Sequence, residues 1–327
     1  MGAVLDRLGS PLRDLRISVT DRCNFRCVYC MPERGLDWLP KPQILTYEEI
    51  VEVVRQLAPL GLRRLRITGG EPTVRPDLPN LIRQLRAIPE IEDIALSTNG
   101  VKLPEMARSL REAGLDRVNM SSDSLQADRI AEIARRRVPF DPVAAATAAS
   151  AAGLDPIKIN VVMIRGANDD EVEDFAALTL THPWHVRFIE LMPVGDLAGT
   201  EFERVVPSEE VLQRIAARFG ALTPDGGPAL GNGPARYYRV PNAMGTIGVI
   251  TPLTHTYCDS CNRVRLTADG RLRTCLYGDH EVNLREPLRA GEPLRPLFER
   301  ALAEKPKEHA LLQLKVGGLK ALSEVGG

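Results

Sequence analysis

Six short runs rich in Ile, Val and Leu, at 15–20, 64–68, 93–98, 116–121, 156–162 and 185–190, alternate with helix-period segments over the first two-thirds of the chain. Strands separated by helices cannot pair as hairpins, so this alternation predicts parallel strands joined by helical crossovers. The helical pattern is clear at several places. Thr46 and Glu49 form a capping-box signature before Ile50, Val53, Val54 and Leu57, which repeat at helical spacing. Further helices are expected over 78–88, 103–113, 142–152 and 170–180, with Pro142 at a first turn and Gly114 and Gly153 as C-terminal caps. Six such units predict an α/β fold with a parallel sheet, open or curled into a partial barrel.

The pattern changes after Pro183. Ser208 is expected to cap one more helix to about Phe219, and a Gly- and Pro-rich loop over 223–234 follows. Beyond it lie β-like runs at 236–240, 245–251 and 263–276, the last containing Asp269-Gly270, a two-residue hairpin signal. The 327 residues therefore divide, as an expectation, into a β/α core over 1–182 and a C-terminal α+β region over 183–327.

Charge narrows the function classes. The chain has 42 Lys plus Arg against 43 Asp plus Glu, a net charge of -1, whereas nucleic-acid and membrane-surface binders usually show a basic excess. The best apolar stretch, 143–154, is mostly alanine and contains Thr147 and Ser150, so no membrane span is expected. The first ten residues include Asp6 and Arg7 and lack an apolar signal core. The expected location is the cytoplasm, where the six cysteines would stay reduced.

Those cysteines fall into two triads. Cys23, Cys27 and Cys30 form C-x3-C-x2-C just after the first strand. Three soft thiolates within eight residues can wrap one metal centre, either zinc with a distant fourth ligand or an iron–sulfur cluster with one iron left open. Cys258, Cys261 and Cys275 form C-x2-C-x13-C. A two-residue turn at Asp269-Gly270 pairs Ala268 with Arg271 and sets Val264 opposite Cys275, which brings the third thiol back to the first two. His255 could complete a zinc site there; symmetry with the first triad favours a second open cluster. One conflict follows. Strict alternation puts Arg263 and Arg265 on the face away from Val264 and Cys275, so a bulge, a twist or another register is needed if all three address one ligand.

The first triad, with Tyr29 before its last cysteine and Gly69-Gly70-Glu71-Pro72 after the second strand, resembles the radical S-adenosylmethionine (SAM) signature. The second triad, continued as Asn262-Arg263-Val264-Arg265-Leu266-Thr267, is similar to one branch, the GTP 3′,8-cyclase or molybdenum cofactor biosynthesis protein A family. The resemblance covers essentially the whole chain and implies an incomplete (β/α)6 TIM-like barrel of the radical SAM type, with a C-terminal α+β region that carries the second cluster and closes the barrel opening. It implies two [4Fe–4S] clusters and SAM, and a lyase reaction in which a 5′-deoxyadenosyl radical takes the 3′ hydrogen of GTP and C3′ closes on guanine C8. The product, 3′,8-cyclo-7,8-dihydro-GTP, is the first intermediate of molybdenum cofactor synthesis.

The resemblance also implies roles. Cys23, Cys27 and Cys30 would hold the first cluster, and Cys258, Cys261 and Cys275 the second. Tyr29, Gly70, Ser121 and Met192 would contact SAM. Arg16, Arg66, Ser97, Lys158, Arg263, Val264 and Arg265 would contact GTP, arginine being suited to phosphate by its planar fork. These residues are expected largely toward the C-terminal ends of the strands. Arg64, Arg83 and Arg135 to Arg137 are left as solvated charges. The tail ending in Gly326 and Gly327 is expected to enter the active site. Implied partners are a downstream cyclic pyranopterin monophosphate synthase, a reductant such as flavodoxin or ferredoxin, and a second copy of the chain as a homodimer. The rival expectations are a peptide-modifying radical SAM maturase, which usually carries more C-terminal cysteines, and a non-catalytic iron–sulfur or zinc scaffold, for which complete four-cysteine ligation is expected.

Overall fold

The structure, a computed structural model, describes residues 12–192, 202–226, 233–255, 258, 261–278, 280–306 and 322. The strands of the first half are β1 (Asp14–Ser18), β2 (Arg64–Thr68), β3 (Asp93–Thr98), β4 (Arg117–Ser121), β5 (Lys158–Met163) and β6 (His185–Glu190). Those of the second half are β7 (Thr223–Asp225), β8 (Arg236–Arg239), β9 (Thr246–Ile250), β10 (Arg263–Leu266), β11 (Arg271–Arg273) and β12 (Glu281–Asn283). The helices are α1 (Tyr47–Leu57), α2 (Leu78–Arg86), α3 (Leu103–Glu112), α4 (Ala127–Ile133), α5 (Pro142–Ala151), α6 (Val172–Thr181), α7 (Ser208–Phe219), α8 (Arg285–Arg289) and α9 (Arg295–Ala303).

All twelve strands join one sheet in the order β12-β11-β10-β1-β2-β3-β4-β5-β6-β9-β8-β7. Strands β1 to β6 are parallel and in sequence order, as the alternation requires. The C-terminal half extends this sheet at both sides, β10 lying parallel to β1 and β9 parallel to β6. Residues of β10 and of β9, on opposite sides of the six-strand core, line one cavity. The sheet therefore curls around that cavity as an open α/β barrel.

The strand sequences explain which face is which. In β1 and β2, Leu15, Ile17, Leu65 and Ile67 are fully buried among Ile50, Val53, Val54 and Leu57 of α1, while Arg16, Arg64 and Arg66 turn inward. Each buried Leu or Ile contributes about 1.5–3 kcal/mol. The interior of a closed (β/α)8 barrel is normally filled with branched apolar side chains. Here it is charged, and the barrel holds a chamber in place of a packed core. No described helix is long and apolar enough to cross a membrane.

The capping box forms as expected, with the Glu49 amide donating to Thr46 Oγ1 at 3.2 Å and the Thr46 amide to Glu49 Oε2 at 2.7 Å. Helix α4 was not expected, because its seven residues carry only Ile130 and Ile133 as buried periodic positions. Ser208 is the first residue of α7, not its cap. A short strand, β7, opens the Gly- and Pro-rich segment.

The hairpin register corrects the two-residue turn. The Thr267 amide donates to the Arg271 carbonyl at 2.9 Å, and Gly270 adopts φ +79°. This is a three-residue loop with glycine in the left-handed position. Arg265 consequently pairs with Arg273, and Leu266 with Leu272. The one-residue slip reverses every face. By continuation Arg263 stands opposite Cys275, so both arginines and the cysteine share the cavity face, while Val264 and Leu266 point into the core.

Candidate active site

The chamber has a volume of about 320 Å3 and is lined by all six cysteines. The first triad sits on the loop that leaves the C-terminal end of β1. The Cys30 and Met31 amides both donate to the Cys27 carbonyl, at 2.9 and 3.2 Å, which coils the loop tightly. Arg26 donates to the Cys23 carbonyl at 2.6 Å and stacks over Trp38. The Arg26 and Val28 amides donate to Ala134 and Ile133 at the end of α4, at 2.8 and 3.0 Å, which docks the loop.

Gly69 and Gly70 support this loop directly. The Gly70 amide donates to Thr20 O and the Glu71 amide to Arg22 O, both at 2.8 Å. A Cβ on Gly70 would lie 2.4 Å from Arg22 O, and one on Gly69 would lie 2.6 Å from Thr20 O. The close approach these glycines allow is thus to the cysteine loop itself, while Gly70 also faces the chamber. Glu71, fully buried, accepts from Thr73, Thr98 and the Asn99 amide, and Asn99 in turn donates to Asn24 at 2.7 Å. Burial raises the Glu71 carboxyl above its usual range.

Tyr29 lines the chamber between the second and third cysteines and donates to Asp123 Oδ2 at 2.6 Å. Asp123 Oδ1 accepts the Val162 amide at 2.9 Å. Burial pushes the Asp123 carboxyl up to about 6. Ser121 and Met192 line the same region. Met192 accepts a hydrogen bond from Tyr277 and, like Tyr29, Cys30 and Cys275, packs against the cluster of Tyr277 and Leu322.

The second triad addresses the chamber from the other end. Strands β1 and β10 are parallel, so Cys23, beyond the end of β1, and Cys261, before the start of β10, lie at opposite strand ends. The expectation of a site largely toward the C-terminal strand ends holds for the first triad, while the second triad extends the chamber to the other end. Burial alone would raise the Cys261 thiol, but the Arg263 guanidinium and Lys305 bring it below its ordinary value. Burial raises the thiols of Cys275 and, to about 12, Cys23. None of the six is in a disulfide.

Both triads suit a multi-iron cluster. Each offers three soft sulfur donors to a cavity, the donor chemistry iron–sulfur centres take. Among the described residues no three His, Cys, Asp or Glu groups are close enough to hold a single metal ion. His255, the candidate fourth zinc ligand, faces Glu209 at 3.9 Å.

Of the anticipated substrate residues, Arg16, Arg66, Ser97, Arg263 and Arg265 line the chamber between the triads. Two do not. Val264 has its side chain in the core, and Lys158 lies deeper in the barrel wall, 3% exposed. Burial, followed by the charges of Arg187, Arg117 and Arg66, lowers Lys158 to about 6. Arg64, taken as solvated, lines the chamber. So do three groups that sequence reasoning passed over: Asp93, Arg117 and Arg187. Arg187 is held by Asn160 at 2.8 Å and Asn119 at 3.1 Å. The signal that could have found them is the two-residue period of the strands, since each sits an even number of positions from an inward residue. Gly326 and Gly327 lie outside the described residues, but Leu322 of the same tail lines the chamber.

Residues 17–179 match the radical SAM superfamily, and residues 184–311 match the Molybdenum Cofactor Synthesis C family. The chain is 50% identical to the GTP 3′,8-cyclase of Pelotomaculum thermopropionicum over 96% of its own length and 97% of that protein's. It is 48% identical to the GTP 3′,8-cyclase of Moorella thermoacetica, over 98% of this chain and 99% of that one. Among solved structures, Streptococcus suis SuiB bound to S-adenosylmethionine superposes with a TM-score of 0.59 at 13% identity, over 92% of this chain and 66% of SuiB. That likeness concerns the fold alone.

Proposed function

The chain belongs to the GTP 3′,8-cyclase family of the radical SAM superfamily, and on that premise we propose that it cyclises GTP to 3′,8-cyclo-7,8-dihydro-GTP, opening molybdenum cofactor synthesis. The observation that carries this is the chamber, with a three-thiol set at each end and a band of arginines between. Its cofactors are two [4Fe–4S] clusters and SAM. Cys23, Cys27 and Cys30 would hold one cluster, and Cys258, Cys261 and Cys275 the other. When bound, the first cluster and SAM supply hydrogen-atom abstraction from the ribose, and the second cluster supplies an iron that binds the guanine.

The protein's own residues bind and orient. Tyr29, Gly70, Ser121 and Met192 would form the SAM wall. Arg16, Arg66, Arg263 and Arg265 would grip the nucleotide, with Ser97 and the Val264 backbone adding hydrogen bonds. Fixed charges in a walled chamber need no reorganisation when the substrate arrives. Lys158, Arg187 and Arg64 would complete the positive field. The tail that places Leu322 in the chamber would carry Gly326 and Gly327 toward it. The barrel core would span 1–182 and the closing region 183–327.

The product would pass to a cyclic pyranopterin monophosphate synthase, with flavodoxin or ferredoxin as reductant and a homodimer as the working form. A cytoplasmic location suits thiol triads that must stay reduced. The test is anaerobic turnover of the reconstituted protein with GTP deuterated at C3′. Deuterium is expected in the 5′-deoxyadenosine released, and its absence would remove the mechanism. Iron should reach about eight per chain. Four iron with one zinc would rule out the second cluster.

A further inference from the structure

Two rows of charge cross the inner faces of β10, β1, β2, β3 and β4. In the lower row the register partners Arg263, Asp14, Arg64 and Asp93 alternate in sign. In the next row Arg265, Arg16, Arg66, Ala95 and Arg117 stand side by side, four cations without an acid. Burial, with the charges of Arg117, Arg187 and Arg263, lowers Arg66 to about 9.

Arg117 differs from its neighbours. Its fork reaches one row down to Asp93, with Nε 2.8 Å from Oδ1 and Nη2 2.5 Å from Oδ2. That pair fixes the guanidinium and leaves Nη1 buried with no hydrogen-bond acceptor among the described residues. Arg117 is 2% exposed, and both residues of the pair line the chamber. A buried N–H without an acceptor is unfavourable in the empty protein, so it marks where an acceptor oxygen fits.

We propose that Arg117, held in place by Asp93, receives the terminal phosphate of the nucleotide and lets the pocket distinguish a nucleoside triphosphate from a diphosphate. This rests on the GTP reading above, with the base beside the second triad. That triad adjoins β10, and Arg117 ends the cationic row four strands away, about 19 Å around the wall at the usual strand spacing. With the base beside β10, the phosphate chain runs along this row toward Arg117. Arg16, Arg66 and Arg265 lie nearer the base and meet the phosphates that a diphosphate also carries. Asp93 is a positioning residue, since it acts through Arg117.

The test is calorimetric titration of anaerobically reconstituted protein, without SAM, with GTP, GDP and GMP. The wild type is expected to bind GTP most tightly. Arg117→Gln should lose about tenfold or more in GTP affinity and less than about threefold for GDP and GMP. Arg117→Lys keeps a cation beside Asp93, and with it the fold and the iron content, but lacks the free fork nitrogen. It should lose the same discrimination. An unchanged GTP-to-GDP ratio in Arg117→Lys at full iron content would overturn the proposal, as would equal losses for all three nucleotides. A wild type that binds GTP no better than GMP would instead bring down the functional reading itself.

Discussion

The Tyr29 hydroxyl donates to Asp123 Oδ2 at 2.6 Å, and so ties the first cysteine loop to the loop after β4. The other carboxylate oxygen is held by the Val162 amide, so the tyrosine ring is fixed through two strands. Asp123→Ala would strand both donors, at about 1–3 kcal/mol each where they stay buried. The expected result is a lower melting temperature and weaker SAM binding, with GTP binding unchanged. Calorimetry with each ligand separately checks this. Unaltered SAM affinity would mean that Tyr29 is held by its own loop alone.

Gly70→Ala should damage the first cluster selectively. Its Cβ would lie 2.4 Å from the Arg22 carbonyl, one residue before Cys23. The loop must shift, and iron is expected to fall from about eight to about four per chain. Iron analysis with electron paramagnetic resonance would show which cluster signal remains. Loss of the second signal in place of the first would contradict the assignment.

Arg265→Ala should weaken GTP binding by about 10- to 100-fold, the range for a buried charge-assisted hydrogen bond, and leave SAM binding intact. Arg265 is 6% exposed and projects from β10 into the chamber between the triads. Parallel losses for both ligands would make it a structural residue.

GTP binding should take up protons near pH 8. In the empty chamber Lys158 is lowered to about 6 by burial and by Arg187, Arg117 and Arg66, with Asp93 opposing. It is then largely neutral at pH 8, while an unfolded lysine there is charged. The unfolded chain binds the extra proton, so this group's share of stability grows as pH rises from about 6 toward 10.5. An arriving polyphosphate reverses the shift, and uptake approaching one proton is expected. GTP affinity should accordingly fall as pH rises. Titrations in buffers of different ionisation enthalpy measure the uptake, and Lys158→Gln should abolish most of it.

Much of the site was legible before any fold was known. The triads and the glycine pair are local spacings around predicted strands, the family resemblance they carry pointed to Arg16, Arg66, Arg263 and Arg265, and all of them face one chamber. Arg117 and Arg187 were not legible. Strand period puts each in phase with other residues on one face of its strand, and only the curl of the sheet decides whether that face meets solvent or a cavity. Helix α4 escaped because seven residues give too little period to read, although its end carries the first cysteine loop.

The sequence by itself determined the alternation that makes a parallel sheet, the two open triads and the two-residue period that gathers charges on one face of a strand. Those features are encoded within a few residues of one another. The tertiary structure decided the register of the last hairpin, where one extra loop residue turned Arg263, Arg265 and Cys275 onto one face. It also decided that the two triads face each other from opposite strand ends. The first is set by the conformation of a three-residue loop, which the Asp-Gly pair alone does not select; the second depends on pairings between segments some 250 residues apart, such as Arg16 with Arg265, where packing and not spacing selects the partner.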